Sequence, residues 1–156
     1  MVISTVSAGD SITAAKMNEL IADINTNSVK ATILSGNVTP SAFGPTQGTR
    51  YVNTSGNSLE TTETQASMIA GKAGTMKNLR ARVDLNTVGS GDILVTVMKN
   101  GAATTLVGTI ASGSTAIVLD STHTVSVAAT DLISFRISFT GAGGSINYIS
   151  LSLEIT

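Results

Sequence analysis

The chain predicts a mainly β protein, a single antiparallel β-sandwich or barrel preceded by one amphipathic helix and an extended arm. Three observations carry that expectation. From residue 60 onward, short segments alternate strictly between apolar and polar residues, the period of a half-buried strand. Turn signals separate those segments roughly every 8–12 residues, the spacing of all-β folds. A helical period occurs once, near the start.

The helix lies in "GDSITAAKMNELIADINTN", Gly9 to Asn27. Met17, Leu20, Ile21 and Ile24 follow the i, i+3, i+4, i+7 pattern and form one stripe. Thr13 is a good N-cap, because its hydroxyl accepts from an orphan N–H of the first turn. That cap puts Ile12 at N′ and Met17 at N4, the spacing of a hydrophobic staple. Asp10 places negative charge by the positive end of the helix dipole. A helix of about a dozen residues is marginal alone, so the stripe needs a partner. That partner is either the chain's own sandwich or another subunit; low charge and the terminal position favour the second, which makes Ile12, Met17, Leu20, Ile21 and Ile24 candidate partner-binding residues.

Val29 to Ser58 holds both prolines, Pro40 and Pro45, and several glycines. It reads as a connector or arm with short strands near Ala31–Leu34 and Arg50–Asn53. This divides the chain into a helical segment, 1–28, a connector, 29–59, and a β-module, 60–156. In the module "TQASMIA" reads as a strand. In "NLRARVDL", Leu79, Ala81, Val83 and Leu85 share the inward face. "ILVTVMKNGAATTLVGTI" reads as a hairpin, with Asn100-Gly101 supplying the two positive-φ residues of a type I′ turn. "TAIVL" and "TVSVA" are short strands. Ile133, Phe135, Ile137 and Phe139 alternate in "LISFRISF", and "GAGG" is a turn. Ile149, Leu151, Leu153 and Ile155 face inward in the last strand.

Composition narrows the function. Of 156 residues, 42% are hydrophobic and only 12% are charged, against about a quarter charged in ordinary soluble domains. So the surface is either Ser/Thr/Gly/Asn-rich or covered by other subunits, and a net charge of −1 favours association. There is no Lys/Arg excess for a phosphate backbone, which argues against nucleic acid. With no cysteine, disulfides and thiol chemistry are excluded. "MVISTVSAGD" lacks the basic and apolar regions of a secretory signal, and no apolar run is long enough to span a membrane.

No residue set reads as catalytic, as a cofactor site or as a metal site. His123 is the single histidine, with Ser121 and Asp120 beside it; the favoured reading is a surface loop histidine. Asp84, Asp92, Asp120 and Asp131 sit near strand ends without calcium-loop spacing, and read as turn residues bonding their own backbone. "GAGG" and "GSGD" lack the Lys and the following helix of a phosphate loop. Arg80 and Arg82 share the wet face of one strand, where a solvated face or intersubunit polar contacts are expected. Carbohydrate sites want exposed aromatics, and only Tyr51 and Tyr148 stand outside the core pattern.

The run "AGTMKNLRARVDLNT…GDILVTVMKNGAATTLVGTI…DSTHTVSVAATDLISFRISFT…INYISLSLEI" resembles a β-module of tailed-phage structural proteins. The matching residues are Gly74, Thr75, Asn78, Leu79 and Arg82; Lys99, Asn100 and Gly101; and Val125–Ala128, Asp131, Ile133 and Ser134. The final strand alternates like "SLSLE". Thr130 departs from the pattern, which often has Gly there. The likeness covers about half the chain, and its motifs are turns and core positions. The opening is similar to a "GD-x-I-T-A-x-x-x-N-x-L" segment near the start of phage tail-fibre and head-associated proteins, through Gly9, Asp10, Ile12, Thr13, Ala14, Asn18 and Leu20.

This resemblance implies an N-terminal attachment piece and a trimeric module like the tumour-necrosis-factor or C1q jelly roll. It implies a non-enzymatic virion protein with itself and the major capsid protein, or another virion protein, as partners. The expected role is a capsid decoration (cement) protein on the virion surface. A short tail or head fibre recognising a host surface is the alternative, and a β-sandwich hydrolase is the remote one. No cofactor, nucleic acid or membrane is expected.

Overall fold

The computed structural model describes residues 32–38, 42–52 and 58–156. The predicted helix, with Ile12, Met17, Leu20, Ile21 and Ile24, lies outside the described residues. The strands are β1 (Thr32–Val38), β2 (Arg50–Val52), β3 (Leu59–Glu60), β4 (Met68–Ile69), β5 (Gly74–Asn86) and β6 (Asp92–Lys99). They continue with β7 (Ala102–Ala111), β8 (Val118–Asp120), β9 (Val125–Val127), β10 (Leu132–Phe139) and β11 (Ile146–Ile155). One helical turn, α1 (Glu63–Ala66), precedes β4.

Two antiparallel sheets result. The first runs β1-β11-β5-β8, with β9 extending β8's place along β5. The second runs β3-β2-β10-β6-β7, with β4 also on β10. The pairs are nested: β1 with β11, β2 with β10, β5 with β8 and β9, and β6 with β7. A long hairpin rolled up in this way is a jelly-roll-like β-sandwich. Alternating apolar residues from the two inner faces fill the core, among them Met76, Leu79, Val83, Val95, Phe135, Ile149 and Leu153. Phe43 closes one part of it, its ring centroid 5.1 Å from that of Phe139.

The described parts of the stretch expected to be a connector belong to the sandwich. Thr32 to Val38 pairs along its length with Ile155 to Ile149, and Phe43 and Val52 are buried in the core. Short strands separated by prolines look like an arm in sequence, but each finds a ladder in space. "TQASMIA" is strand only at Met68–Ile69. Its first half is α1, closed by Ser67 Oγ donating to the Glu63 carbonyl at 2.8 Å.

Two irregularities correct the alternation. Asn78 and Leu79 stand opposite the single residue Leu153, a β-bulge, with Asn78 at φ 54°. Asparagine tolerates that region, and its Nδ2 donates to Glu154 Oε2 at 2.8 Å. The extra residue lets both Met76 and Leu79 face the core. Further along, Leu85 is not inward but 47% exposed. Asn86 takes the inward place: its Nδ2 donates to the carbonyls of Ala111 and Ser114, both at 2.9 Å, and its Oδ1 accepts from the Val88 N–H. On the partner strand Tyr148 has φ 49° and shifts the phase in step.

The Asn100-Gly101 turn forms as expected, with φ 50° and 81°. "GAGG" is a turn whose backbone packs closely at Gly144. A Cβ on Gly144, at φ 72°, would lie 1.8 Å from the Thr87 carbonyl oxygen, whereas Gly143, at φ 75°, faces open space. We expect Gly144→Ala to destabilise by roughly 2–4 kcal/mol, through backbone strain plus collision, and Gly143→Ala by about 1 kcal/mol through φ alone. Urea denaturation of the two variants checks the difference.

Candidate functional site

The outer face of the first sheet gathers the sequence-predicted candidates that the structure describes. Arg80 and Arg82 point outward from β5, because Leu79, Ala81 and Val83 are buried. Arg80 lies 3.1 Å from Glu154 Oε1, and Arg82 lies 2.7 Å from Asp84 Oδ1. Both arginines therefore have a carboxylate in their own chain and remain about half exposed. Asn78, followed by Arg80, holds Glu154 below the usual carboxylate range. Leu119 of β8 stands directly across from Arg80 and is 51% exposed, and nearby Ile117 is 66% exposed. Ser152 of β11 and Ser35 of β1 continue that row. The face thus carries small hydroxyls, two screened ion pairs and an apolar rim. Sequence reading found the arginines but missed Ile117 and Leu119, since "TAIVL" alone does not tell which of its residues face inward.

Asp120 joins the edges of the two sheets. It is buried at the end of β8. Its Oδ2 accepts from the N–H of Val107 in β7 at 3.1 Å, and Gly108 leaves room for Val118 to lean against β7. Its Oδ1 accepts from the N–H groups of Thr122 and His123, both at 3.2 Å, and from Thr122 Oγ1 at 3.1 Å. His123 Nδ1 lies 3.0 Å from each carboxylate oxygen. Burial alone would raise the Asp120 pKa, but the N–H groups of His123 and Val107, with the His123 ring, outweigh it and hold the carboxyl at about 2.

As a hydrolytic constellation the Asp120–His123 pair is incomplete. A relay needs the carboxylate on one ring nitrogen and the nucleophile on the other. Here the carboxylate and Thr122 Oγ1, 3.3 Å away, crowd the same Nδ1, and Ser121 makes no hydrogen bond to the ring among the described contacts.

A second cluster ties two turns together. Lys99 Nζ lies 3.2 Å from Asp131 Oδ2 and donates to the Ser126 carbonyl at 2.8 Å. Asn100 Nδ2 donates to Asp131 Oδ1 at 2.7 Å, and Asn100 Oδ1 accepts from the Leu132 N–H at 2.8 Å. The Ala128 N–H, then the Asn100 amide, hold Asp131 below the usual carboxylate range. An open groove of about 510 Å³ beside this turn is lined by Lys99, Ala102, Ala103, Thr104, Thr105 and Val125. Its one charged group is already committed to Asp131. Asp84 pairs with Arg82 within β5, Asp120 and Asp131 organise separate turns, and among the described residues no three potential metal ligands converge.

No protein-family model matches the chain, and no curated protein matches it.

Because the Asp120 pKa is depressed on folding, its stabilisation is complete above the ordinary aspartate range near pH 4 and is lost as pH falls towards about 2. Asp120→Asn should lower the melting temperature at pH 7. The gap from the wild type should narrow between about pH 4 and pH 2, in thermal melts across that range.

Proposed function

We propose that this chain is a non-enzymatic structural protein of a tailed-phage particle, a decoration (cement) protein that binds the outside of the assembled head as a trimer and stabilises it. The observation that carries the reading is how the quoted motif residues meet. Separated pieces of the pattern close on one another in two bonded clusters. "KNG" joins the "TVSVA-x-x-D" piece through Lys99, Asn100 and Asp131. The "NL" of β5 joins the final "SLSLE" through Asn78 and Glu154. That these residues bond across the fold supports reading them as the signature of one folded module, as the phage resemblance implies.

The trimer we assign packs through the outer face of the first sheet. Exposed Ile117 and Leu119 supply apolar contact, and Arg80 and Arg82 supply polar contacts beside it. A thinly charged surface suits burial in an assembly. The N-terminal stripe of Met17, Leu20, Ile21 and Ile24 is assigned to attachment on the major capsid protein. The mechanism is linkage: a partner that binds the assembled shell and not its parts shifts the equilibrium towards the shell.

Light scattering on the isolated chain should give a trimer. Replacing Ile117 and Leu119 together by Asp should give a folded monomer, with an unchanged β circular dichroism spectrum. Leu20→Asp with Ile21→Asp should abolish co-sedimentation with empty shells and leave the β-module folded. Binding to host cells but not to shells would sink the cement reading.

A further inference from the structure

The turn between β6 and β7 carries the one Asn-Gly pair of the chain, Asn100-Gly101. Asparagine is a thermolabile residue, and it is most reactive before glycine, which puts no side chain in the way of its own backbone nitrogen. The Gly101 nitrogen gives up its proton to base and attacks Cγ of Asn100, and the side-chain amino group leaves as ammonia. Water then opens the five-membered succinimide at either carbonyl, giving aspartate or isoaspartate. One water is consumed, one ammonia is released, and nothing is oxidised or reduced. Both residues are exposed, and a Cβ on Gly101 would meet nothing within 4 Å. Neither burial nor crowding therefore keeps water or base away from this turn.

Conformation and bonding restrain it instead. Attack needs the Gly101 nitrogen and the Asn100 Cβ on the same side of the Asn100 Cα–C bond. Asn100 at φ 50° and Gly101 at φ 81° form a type I′ turn, which sets the Asn100 ψ at about 30°. For an L-residue that ψ turns the next nitrogen nearly opposite to Cβ, out of reach of Cγ. The amide is also held at both ends. Its Nδ2 donates to Asp131 Oδ1 at 2.7 Å, and its Oδ1 accepts from the Leu132 N–H at 2.8 Å. The Asn100 backbone N–H donates to the Leu132 carbonyl, also at 2.8 Å, so neither backbone nor side chain turns alone. Asp131 is fixed in its turn: the Ala128 N–H donates to its Oδ2 at 2.8 Å, and Lys99 Nζ lies 3.2 Å from the same oxygen. The carboxylate sits on the leaving amino group and makes no hydrogen bond to the Gly101 N–H among the described contacts. It holds the amide and is not placed to act as the base.

We propose that Asn100 is a self-modification site gated by this clamp: the folded turn keeps a reactive pair from reacting, and opening of the Asn100–Asp131 contact lets it deamidate irreversibly. The product cannot close the clamp again. Aspartate at position 100 loses the donor to Asp131 and sets a second carboxylate against it, with Lys99 the one cation bound there among the described residues. Isoaspartate adds a methylene to the backbone path, which a two-residue type I′ turn does not accommodate. Either product frees the hairpin tip from Leu132 and from the turn at Ala128–Asp131. A transient opening becomes a permanent covalent mark on the chain that opened. The step needs water alone and does not depend on the virion reading.

Incubation of the full chain in mildly alkaline buffer, followed by digestion and mass spectrometry, reads the reaction, and an isoaspartyl methyltransferase scores the isoaspartate. In guanidinium chloride, modification of the wild type should concentrate at Asn100. In native buffer the same site should react about tenfold more slowly or slower still, because only the open fraction reacts. Asp131→Ala should speed the native reaction severalfold and leave the rate in guanidinium chloride unchanged, with circular dichroism reporting that the variant is folded. Asn100→Asp, which reproduces one product, should lower the urea midpoint. Native and unfolded wild-type chains that deamidate at Asn100 at the same rate would overturn the proposal, and this comparison decides even where Asp131→Ala does not fold. A folded Asp131→Ala chain that reacts no faster than the wild type would also overturn it, as would an unchanged midpoint in Asn100→Asp.

Discussion

The ladder between β5 and β11 carries the rest of the sandwich. β5 is the longest strand at 13 residues. Its one edge is covered by β11, and its other edge is shared by β8 and β9. Through β11 it also holds β1. A regular ladder of that length would keep every second residue inward, and bulges add local bend and twist to it. The bulge at Asn78 and the phase shift at Leu85 and Tyr148 let it turn while keeping Met76, Leu79, Val83, Ile146 and Ile149 in the core. Glu154 and Arg80 brace the first irregularity, and the Asn86 amide braces the second. Polar side chains thus stand where the backbone departs from regularity, and the core itself is almost wholly aliphatic.

The same arrangement separates the surfaces. Winding one hairpin into two sheets leaves two outer faces of different character. The first sheet shows hydroxyls, self-contained ion pairs and an apolar rim at Ile117 and Leu119. The second holds the half-buried Arg136, whose Nε has no hydrogen-bond acceptor among the described residues. Asp120 stitches the open seam between the sheets by accepting from Val107 in β7 while organising the turn at Thr122 and His123. His123 belongs to that turn through its backbone N–H and its Nδ1, both on the Asp120 carboxylate.

Much of this was legible in the residues. Period-two runs such as "LISFRISF" and "SLSLEI" fixed which side chains face inward, because a buried face admits no polar residue without a partner. Asn-Gly announced its turn, because two positive φ angles demand such residues. Other features needed three dimensions. Leu85 reads as core until Asn86 is seen to hold three hydrogen bonds inside. "TQASMIA" reads as a strand because one helical turn is too short to show a period. The strands of residues 32–52 look like an arm because their partners lie about a hundred residues away in sequence, a separation that local patterns do not encode. Arg82 and Arg136 look alike as polar positions between apolar ones. Only burial and the inventory of acceptors tell the paired one from the orphan.

We propose that this sandwich is a repeated component of a phage head and not a few-copy appendage. Copy number in purified particles tests it most directly, by quantitative mass spectrometry against the major capsid protein. The account predicts a fixed ratio set by trimers repeated over the whole head lattice. A number matching only a handful of trimers, at a tail or a single vertex, would contradict it.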